Sequence, residues 1–535
     1  MFYNSLNVVG VRKNFILFIL FIVSTCLFGQ NKHTISGYVT DVNNGESIVG
    51  ANVYCEKLNI GSISNTYGFY SLTLPTGTYD ISYSFIGYKT ENKNYSLNSS
   101  VQYDVEFQLS SININEVIVK AEKNIVEKTQ TSMIEMPIEQ IRTIPALLGE
   151  VDVLKALQLL PGVQSSEGSS GFYVRGGSTD QNLILLDGVP VYNASHIGGL
   201  FSVFNSDAIK NVRLTKGGFP ARFGGRLSSV LEIDMREGNM KEFKGDLTLG
   251  LISSKLTFEG PIIKDKTSFI VSGRRTYIDL LTRPFMPVST DLTLYFYDLN
   301  AKINHKISKK DRVYLSAYMG NDSFGVDFDG SQEGKGKRSS DSGILNFGLG
   351  YGNLTSTLRW NHLFSDQLFS NTTLTYSRYS FNTNFGLTSN QTNENTAINF
   401  DYLAGIEDFG GRIDFDYMPN PNHDIKFGTS YTYHHFFPGE INQNNNRQSS
   451  DTSRIFSSDT TLNFSGNTNV HEMFFYVEDN VKISSRLKAN IGLHVGYYSL
   501  ANNSSTSNIG LIDKINDKNN LIIQPRVSAR YLLSE

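Results

Sequence analysis

Two histidine-containing stretches are the first candidates for metal binding or acid–base chemistry. His434 and His435 are adjacent in a predicted strand, "DIKFGTSYTYHHFF". Because successive side chains of a strand point to opposite faces, the two imidazoles cannot readily bind one ion. His471-Glu472 lacks the second histidine, four positions after the first, that a zinc-binding helix requires. These stretches therefore predict no metal site.

Two glycine-rich stretches are candidates for phosphate binding or nucleophilic catalysis. "GLGYGN" at 348–353 is not followed by a predicted helix, which a phosphate-binding loop needs. The Gly-Ser cluster at 168–171 lacks the strand, sharp turn and helix that present a hydrolase nucleophile. We therefore predict no catalytic residue, no cofactor and no enzymatic activity.

Composition narrows the class of protein further. The 535 residues suffice for two to four domains, and 47 Lys+Arg against 51 Asp+Glu give a net charge of −4. This balance excludes a nucleic-acid-binding protein that works through bulk positive charge. The chain has only two cysteines, Cys26 and Cys55, which excludes a disulfide framework.

The N-terminus has the pattern of an export signal. Arg12 and Lys13 precede the apolar run 15–23, which small residues follow. This order predicts a signal peptide over residues 1–29, cleaved before Gln30, with lipidation of Cys26 as the alternative. No later stretch has the roughly 18–20 continuous apolar residues of a membrane helix. If the protein crosses a membrane, it must do so with strands.

Residues 30–110 show short runs of alternating apolar residues between turn signals. Tyr79, Ile81, Tyr83 and Phe85 are one such run, and "PTG" at 75–77 is one such turn. The pattern predicts a small β-sandwich. The stretch beginning "ISGYVTDVNNGESIVGANVY" resembles the carboxypeptidase-regulatory-like domain that precedes many Bacteroidetes outer-membrane receptors. This family is not itself a peptidase.

Residues 111–135 contain a short β-branched segment, Glu116, Val117, Ile118 and Val119, between polar residues. Such a segment can add as a strand to a sheet edge of another protein, or it can be the last strand of the sandwich. It resembles the TonB box of TonB-dependent receptors. The resemblance implies that a TonB-type energy-transducing protein binds here.

Residues 136–238 combine one helix with several strands. Val151, Leu154, Leu157 and Leu160 predict a helix that Pro161-Gly162 ends. Residues 173–175 are predicted as a strand before a Gly176-Gly177 turn. Residues 183–186 are predicted as a buried strand closed by an Asp187-Gly188 turn.

Five motifs follow one another in this region: the Leu-Pro-Gly helix end, "VRGG", "LLDGVPVY", "VRLTKGG" and "ARFGGRLSSVLEI". Together they resemble the plug domain of TonB-dependent receptors, which blocks the lumen of a barrel. The resemblance implies that the framework positions of this plug are Arg175, Gly176, Gly177, Asp187, Gly188, Gly217, Gly218, Gly224 and Gly225.

Residues 239–535 show about 12 recurring strands of roughly ten residues with alternating faces. Short turns near 308–310, 365–366, 420–422 and 484–485 alternate with long polar stretches near 321–343, 385–400, 438–469 and 501–520. This alternation is typical of an antiparallel transmembrane β-barrel with periplasmic turns and external loops. Plugged transporters have about 22 strands, so we expect the sequence to be C-terminally truncated.

These predictions add up to a mainly-β protein with a sandwich, an α+β plug and a transmembrane barrel. The resemblance implies a Gram-negative outer-membrane receptor with a periplasmic N-terminal domain, which takes up a scarce ligand using inner-membrane energy. The ligand-binding residues are unknown, and siderophore, other metal complex, glycan and peptide all remain possible. Expected partners are the TonB-type protein, outer-membrane lipid and a small or oligomeric ligand, with a surface lipoprotein as a further candidate; nucleic acid is not expected. The alternatives are a sensing receptor that signals through its N-terminal domain and a non-transporting adhesin or scaffold.

Overall fold

The computed structural model describes residues 32–110, 132–144, 148–166, 169–330, 342–391, 394–449, 455–463, 468–502 and 519–533. They form two compact units, one made mostly of residues 32–110 and one of most later residues. The predicted signal peptide and the segment Glu116–Val119 lie outside the described residues. Within these ranges, no helix combines the length and the apolar character needed to cross a bilayer. Strands dominate both units, which confirms the predicted mainly-β class.

The first unit contains two small sheets. One has the order β4-β1-β7, with β8 also paired to β1, and the other has the order β3-β2-β5-β6. Alternate residues of β5, such as Ile81 and Tyr83, are fully buried, which confirms the predicted alternation. The strands are β1 (Lys32–Asp41), β2 (Asn52–Cys55), β3 (Ile60–Ile63), β4 (Phe69–Pro75), β5 (Gly77–Ser84), β6 (Glu91–Leu97), β7 (Val101–Gln102) and β8 (Val105–Phe107).

The second unit begins with the segment 132–240, called the plug below. Its main sheet has the order β13-β12-β17-β16-β9, in which β12 and β17 are parallel and β9 lies at the edge. The elements are β9 (Met133–Pro137), α1 (Ile138–Arg142), α2 (Val153–Gln158), β10 (Val163–Ser166), β11 (Ser169–Val174), β12 (Asn182–Leu186), β13 (Val189–Pro190), β14 (Ser195–His196), β15 (Phe201–Ser202), β16 (Ile209–Thr215) and β17 (Ser229–Met235).

Local sequence explains how α2 begins and ends. The Asp152 side chain accepts hydrogen bonds from the backbone N–H groups of Leu154 and Lys155, which caps the first turn. Leu154 and Leu157 are buried on the apolar face, as predicted. Gly162, with φ of +77°, turns the chain away after the helix.

The structure corrects one detail of the "VRGG" motif. Arg175 was predicted to belong to a strand, but β11 ends at Val174. Arg175 has a φ of +50° and Gly176 a φ of +81°, so the turn begins one residue earlier than predicted. Arginine rarely adopts this conformation, and sequence propensity therefore favours the strand.

The remainder of the second unit is one antiparallel sheet of 13 strands, called the barrel sheet below. Consecutive strands pair, except that β26 pairs with both β27 and β28. The helix α3 (Ile278–Thr282) lies between β20 and β21. The strands are β18 (Lys244–Leu249), β19 (Ser253–Ile263), β20 (Thr267–Thr276), β21 (Thr290–Lys306), β22 (Asp311–Asp329), β23 (Ser342–Ser365), β24 (Leu368–Gln391), β25 (Glu394–Asn420), β26 (His423–Ser449), β27 (Ile455–Asn463), β28 (Thr468–Lys482), β29 (Leu487–Asn502) and β30 (Asn519–Tyr531).

The predicted short turns are present, but most of the strands are longer than predicted. Turns near 308–310, 365–366, 420–422 and 484–485 each join two successive strands. The prediction that residues 385–400 form a long external loop is wrong. The strands β24 and β25 continue through most of this stretch and reach 24 and 27 residues. Strands that extend beyond a bilayer need no apolar face toward lipid, so the hydropathy pattern does not reveal their true length.

The two faces of the barrel sheet differ as the sequence predicts for β22. Tyr314, Ser316 and Tyr318 are buried on the inner face, which is the face that contacts the plug. Leu315 and Met319 are exposed on the outer face. An apolar outer face around a polar, filled interior is the arrangement of a membrane barrel.

Candidate functional site

Several buried ion pairs join the plug to the inner face of the barrel sheet. At the centre of this interface, His196 of β14 lies between two carboxylates of the barrel sheet. Its Nε2 is 2.8 Å from Asp298 Oδ1, and its Nδ1 is 2.5 Å from Asp322 Oδ2. The imidazole also stacks on Phe296, with ring centroids 4.0 Å apart. All these groups are buried, so the ring is fixed on every side.

The charge of this histidine follows from its partners. Each ring nitrogen faces an acidic oxygen, so both nitrogens donate only if the imidazole is protonated. Burial by itself would lower the pKa of His196, but Asp298 and Asp322 outweigh it and raise the pKa above its ordinary value. The imidazolium therefore acts as a buried cation that joins the plug to two neighbouring strands.

Further charges extend this cluster. Arg274 of β20 donates from Nε to Asp298 Oδ2 at 2.7 Å and from a terminal nitrogen to the backbone oxygen of Ser202 at 2.7 Å. Lys255 of β19 lies 2.7 Å from Glu150 Oε2 of the plug. Positive and negative groups thus alternate across the interface, and each charge has an opposite charge beside it.

The turn at Asp187-Gly188 forms a second attachment. Lys302 Nζ is 2.8 Å from Asp187 Oδ2, and Arg359 donates to the Asp187 backbone oxygen at 2.6 Å. Burial would raise the pKa of Asp187, but Lys302 and Arg359 outweigh it and lower the pKa. The φ values of Asp187 and Gly188, +47° and +85°, are those of the predicted tight hairpin turn. The turn holds an ionised carboxylate against β21 and β23.

A third attachment lies where the plug leads into the barrel sheet. Glu237 accepts from Lys210 at 3.3 Å and from Arg312 at 2.9 Å. Burial would raise its pKa, but Lys210, Arg312 and Lys302 outweigh it and lower the pKa of Glu237 to about 2. The carboxylate therefore stays charged at any physiological pH.

The "ARFGGR" motif forms a fourth attachment, against β28, β29 and β30. Arg222 donates to Glu478 Oε1 at 2.6 Å. His494 Nδ1 is 2.8 Å from the Ala221 backbone oxygen, and Arg526 donates to the backbone oxygens of Pro220 and Phe223 at 2.6 Å each. Most of these contacts are made to backbone oxygens of the loop, so the loop can lie close to the strands.

The structure brings the predicted framework residues together in three places. Gly177 packs against Ser228, and Gly217 approaches Arg175, so the "VRGG" and "KGG" turns are neighbours in the plug. Gly188 lies beside Arg359 of the barrel sheet, and Gly224 and Gly225 lie beside β28 and β29. Gly218 has no atom of another described residue near the position of a Cβ. Their role as the framework of the family's plug stays a prediction.

Gly224 shows why one of these positions requires glycine. A Cβ on Gly224 would lie 2.4 Å from Nε2 of the buried His494 ring. We expect Gly224→Ala to weaken docking of the plug by about 1–3 kcal/mol, since a filled interface has to move to admit a methyl group. Thermal unfolding of the purified protein measures this effect. Gly273→Ala is the matched control, because its Cβ would lie 3.9 Å from the nearest atom. Equal stability of the two variants would contradict the expected clash.

A pocket of about 430 Å³ adjoins the plug segment that carries His196. It lies between this segment and the inner faces of β21 to β24, toward the strand ends that are opposite the short turns. Its lining includes Asn193, Ser195, Phe324, Leu349, Tyr379 and Phe381. Concave surfaces lined by apolar and aromatic side chains, with a few polar groups, are typical of small-molecule sites.

The histidines that the sequence brought forward have structural partners. His434 lies between Asp408, at 2.7 Å, and Glu472, at 3.0 Å, whereas His435 contacts Asn469. The two rings are thus on opposite faces, as predicted. The described residues contain no group of three or more His, Cys, Asp or Glu side chains arranged to hold a metal ion.

His196, Asp298 and Asp322 are functional-site residues that were not predicted from the sequence. The inward position of Asp298 in the alternating strand "LYFYDLNAK" was the available signal, because an inward charge in a barrel needs a partner. Its partner could not be named, since His196 lies 102 residues away in the chain.

Three family models match the chain in succession. Residues 35–119 match the CarboxypepD_reg-like domain, residues 128–229 match the TonB-dependent Receptor Plug Domain, and residues 295–535 match the TonB dependent receptor-like beta-barrel. No curated protein matches the chain at a significant level.

Solved structures of outer-membrane receptors are similar in fold. FpvA from Pseudomonas aeruginosa, bound to pyoverdine, is 15% identical with a TM-score of 0.50, over 77% of this chain and 61% of that one. BauA, the ferric preacinetobactin receptor of Acinetobacter baumannii, is 10% identical with a TM-score of 0.49, over 75% and 62%. Fiu, a ferric-catecholate import receptor of E. coli, is 15% identical with a TM-score of 0.48, over 77% and 68%. The chain thus spans about two thirds or less of these receptors. At 15% identity the similarity to FpvA establishes the fold alone.

Proposed function

We propose that this chain, which belongs to the TonB-dependent receptors and carries an N-terminal regulatory-like domain, takes up a scarce ligand across the outer membrane of a Gram-negative cell. The family is one of receptors and transporters, not of enzymes. The observation that carries the proposal is the attachment of the plug to the barrel sheet through His196, Asp187, Glu237 and Arg222. A lumen filled by a plug with several buried ionic contacts does not open by thermal motion alone, so uptake needs an external source of work.

The proposed source of work is an inner-membrane TonB-type protein that binds the segment Glu116–Val119. This segment lies between the N-terminal sandwich and β9, so a pull on it acts directly on the start of the plug. The short β-branched sequence suits strand addition to a partner's sheet edge. The N-terminal sandwich is then periplasmic.

The proposed ligand site is the pocket beside the His196 segment. It combines plug residues with residues of β21 to β24, so an occupied pocket would contact the element that has to move. FpvA, a solved receptor of similar fold, is bound to pyoverdine. A siderophore, another metal complex, a glycan or a peptide could each be the ligand of this chain.

The coupling can be tested without knowing the ligand. A photo-crosslinking amino acid at Ile118 of the full-length protein in cells should form an adduct with the TonB-type protein. The same amino acid at Lys57, an exposed position of the sandwich, serves as the control and should form none. Deletion of residues 115–120 should lower growth, in medium where the gene is advantageous, to that of a strain lacking the gene. Absence of the Ile118 adduct together with normal growth of the deletion strain would rule out this coupling.

A further inference from the structure

The long strands of the barrel sheet change character along their length. In the part of β23 near the short turn, the outer face carries exposed Leu354, Leu358 and Trp360. The inner face there carries buried Thr355 and Thr357 against the plug. An apolar exterior around a polar interior is expected where the strand crosses lipid.

Farther along the same strand the two faces exchange character. Leu345, Phe347 and Leu349 continue on the inner face, whereas Asn346 and Gly348 occupy the outer face. Phe347 is 38% exposed although it points inward. Lipid would contact the outer face, which is polar here, so lipid does not account for the apolar inner residues.

Strand register extends this inner apolar surface across four strands. Phe324 of β22 pairs with Leu349 of β23, and Thr383 of β24 pairs with Tyr402 of β25. In the next row, Val326, Phe347, Phe385 and Phe400 lie side by side. We call the inner-facing residues of these two rows the vestibule wall.

The outer face opposite the second row of the vestibule wall carries no apolar side chain larger than glycine in any of these strands. Asn384 of β24 pairs with Gly348 of β23, and Asn399 of β25 pairs with Gly386 of β24. Asn384 and Asn399 are exposed. This part of the sheet is therefore solvated outside and apolar inside.

The connection between β22 and β23, next to the wall, is polar in sequence. Residues 331–341, which join β22 to β23, read "SQEGKGKRSSD" and contain no large apolar side chain. Burying the aromatic rings of the wall requires a partner with apolar surface, since each ring contributes a large area to such contacts.

The charges of the pocket next to the vestibule wall restrict which ligands can bind. None of the described residues that line the pocket is a lysine, arginine or histidine. The one carboxylate, Asp322, already accepts from His196 and from the backbone N–H of Ile197 at 2.7 Å. The other polar side chains of the lining, among them Asn193, Ser195 and Tyr379, are neutral. An anion buried among these described residues would lose its hydration without gaining a cation from them.

We infer that the pocket and the vestibule wall bind an uncharged ligand that carries aromatic or alkyl surface, and that they discriminate against anions of the same size. The inference rests on the proposed function and narrows its ligand class. Uncharged complexes and uncharged glycosides with apolar groups satisfy this description, whereas polyanionic iron complexes do not.

A matched pair of fluorescent probes tests the inference on the purified full chain in lipid nanodiscs. Dansyl-phenylalanine amide is uncharged, and dansyl-phenylalanine differs from it by one carboxylate. Fluorescence polarisation should show saturable binding of the amide at least about tenfold tighter than binding of the acid, the ratio expected from one uncompensated charge near low-dielectric walls.

Variants of neighbouring residues that point to opposite faces of the sheet test whether the probes bind on the inner face. Leu349→Lys adds a cation to the pocket and should reverse the preference, so that the acid binds more tightly. Asn384→Lys adds the same charge to the outer face and should leave both affinities within about twofold, because solvent screens it. Phe347→Ala changes no charge and should weaken binding of the amide. Thermal unfolding confirms that each variant is folded.

Three results would overturn the inference. They are equal or tighter binding of the acid by the unmodified protein, no saturable binding of either probe, and a preference that Leu349→Lys and Asn384→Lys change equally. The measurement needs no inner-membrane partner. A failure here therefore leaves the Ile118 adduct unaffected, and failure of that adduct leaves the binding preference unaffected.

Discussion

Replacing Asp298 with alanine is expected to destabilise the docked plug by about 3–5 kcal/mol, the cost of removing one partner from a buried ionic group. Asp298 is fully buried between His196 and Arg274, and it also accepts from the Tyr318 hydroxyl at 2.9 Å. Without the Asp298 carboxylate, the buried positive charges of His196 and Arg274 are left without the anion between them. Thermal unfolding of the purified protein, combined with protease protection of the plug, measures the change.

Two further measurements separate this effect from a general loss of stability. Asp291→Ala removes an exposed carboxylate from the same strand and should change stability by less than about 1 kcal/mol. Because the pKa of His196 is raised, its contribution is complete below the ordinary histidine pKa of about 6.5 and is lost as the pH rises through the raised value. The unmodified protein should therefore lose plug stability toward alkaline pH, and Asp298→Ala should show a weaker dependence. Similar stabilities of the two alanine variants would contradict the role given to Asp298.

Replacing Glu237 with glutamine is expected to destabilise the junction between plug and barrel sheet by roughly 3 kcal/mol near neutral pH. The estimate follows from a pKa lowered from 4.5 to about 2, at about 1.4 kcal/mol per pKa unit. Because the folded-state pKa is depressed, this stabilisation is present above pH 4.5 and is lost as the pH falls through about 2. Denaturant unfolding at several pH values checks both the size and the direction.

The control for this variant is Glu242→Gln, which changes an exposed carboxylate a few residues away. It should leave stability within about 0.5 kcal/mol at every pH. The difference between Glu237→Gln and the unmodified protein should stay constant from pH 5 to 8 and narrow under more acidic conditions. A difference that grows on acidification would show that Glu237 is not held ionised by Lys210 and Arg312.

The features that the sequence predicted correctly are local. The spacing of Leu154 and Leu157 indicated α2, and the Asp187-Gly188 pair indicated a tight hairpin turn. Alternation in the sequence of β22 indicated which side chains share a face. Each of these depends on neighbours within a few residues, where periodicity and turn propensity dominate.

The features that the sequence did not reveal depend on distant partners. His196 contacts carboxylates 102 and 126 residues away, and only the curvature and register of the sheet bring them together. The length of β24 and β25 was also missed, because toward their ends the side chains no longer follow the apolar-out alternation expected of a membrane strand. A hydropathy pattern that changes within one strand does not reveal where that strand ends.

The position of β9 determines where a mechanical load would first be felt. This five-residue strand is an edge strand of the plug sheet and, among the strands that the structure describes, pairs with β16 alone. Tension from the preceding segment of the chain would separate β9 from β16 before it acted on the interior strands β12 and β17. The first yielding event would then be local fraying of one margin, and the ionic anchors at His196 and Arg222 could stay intact while it happens.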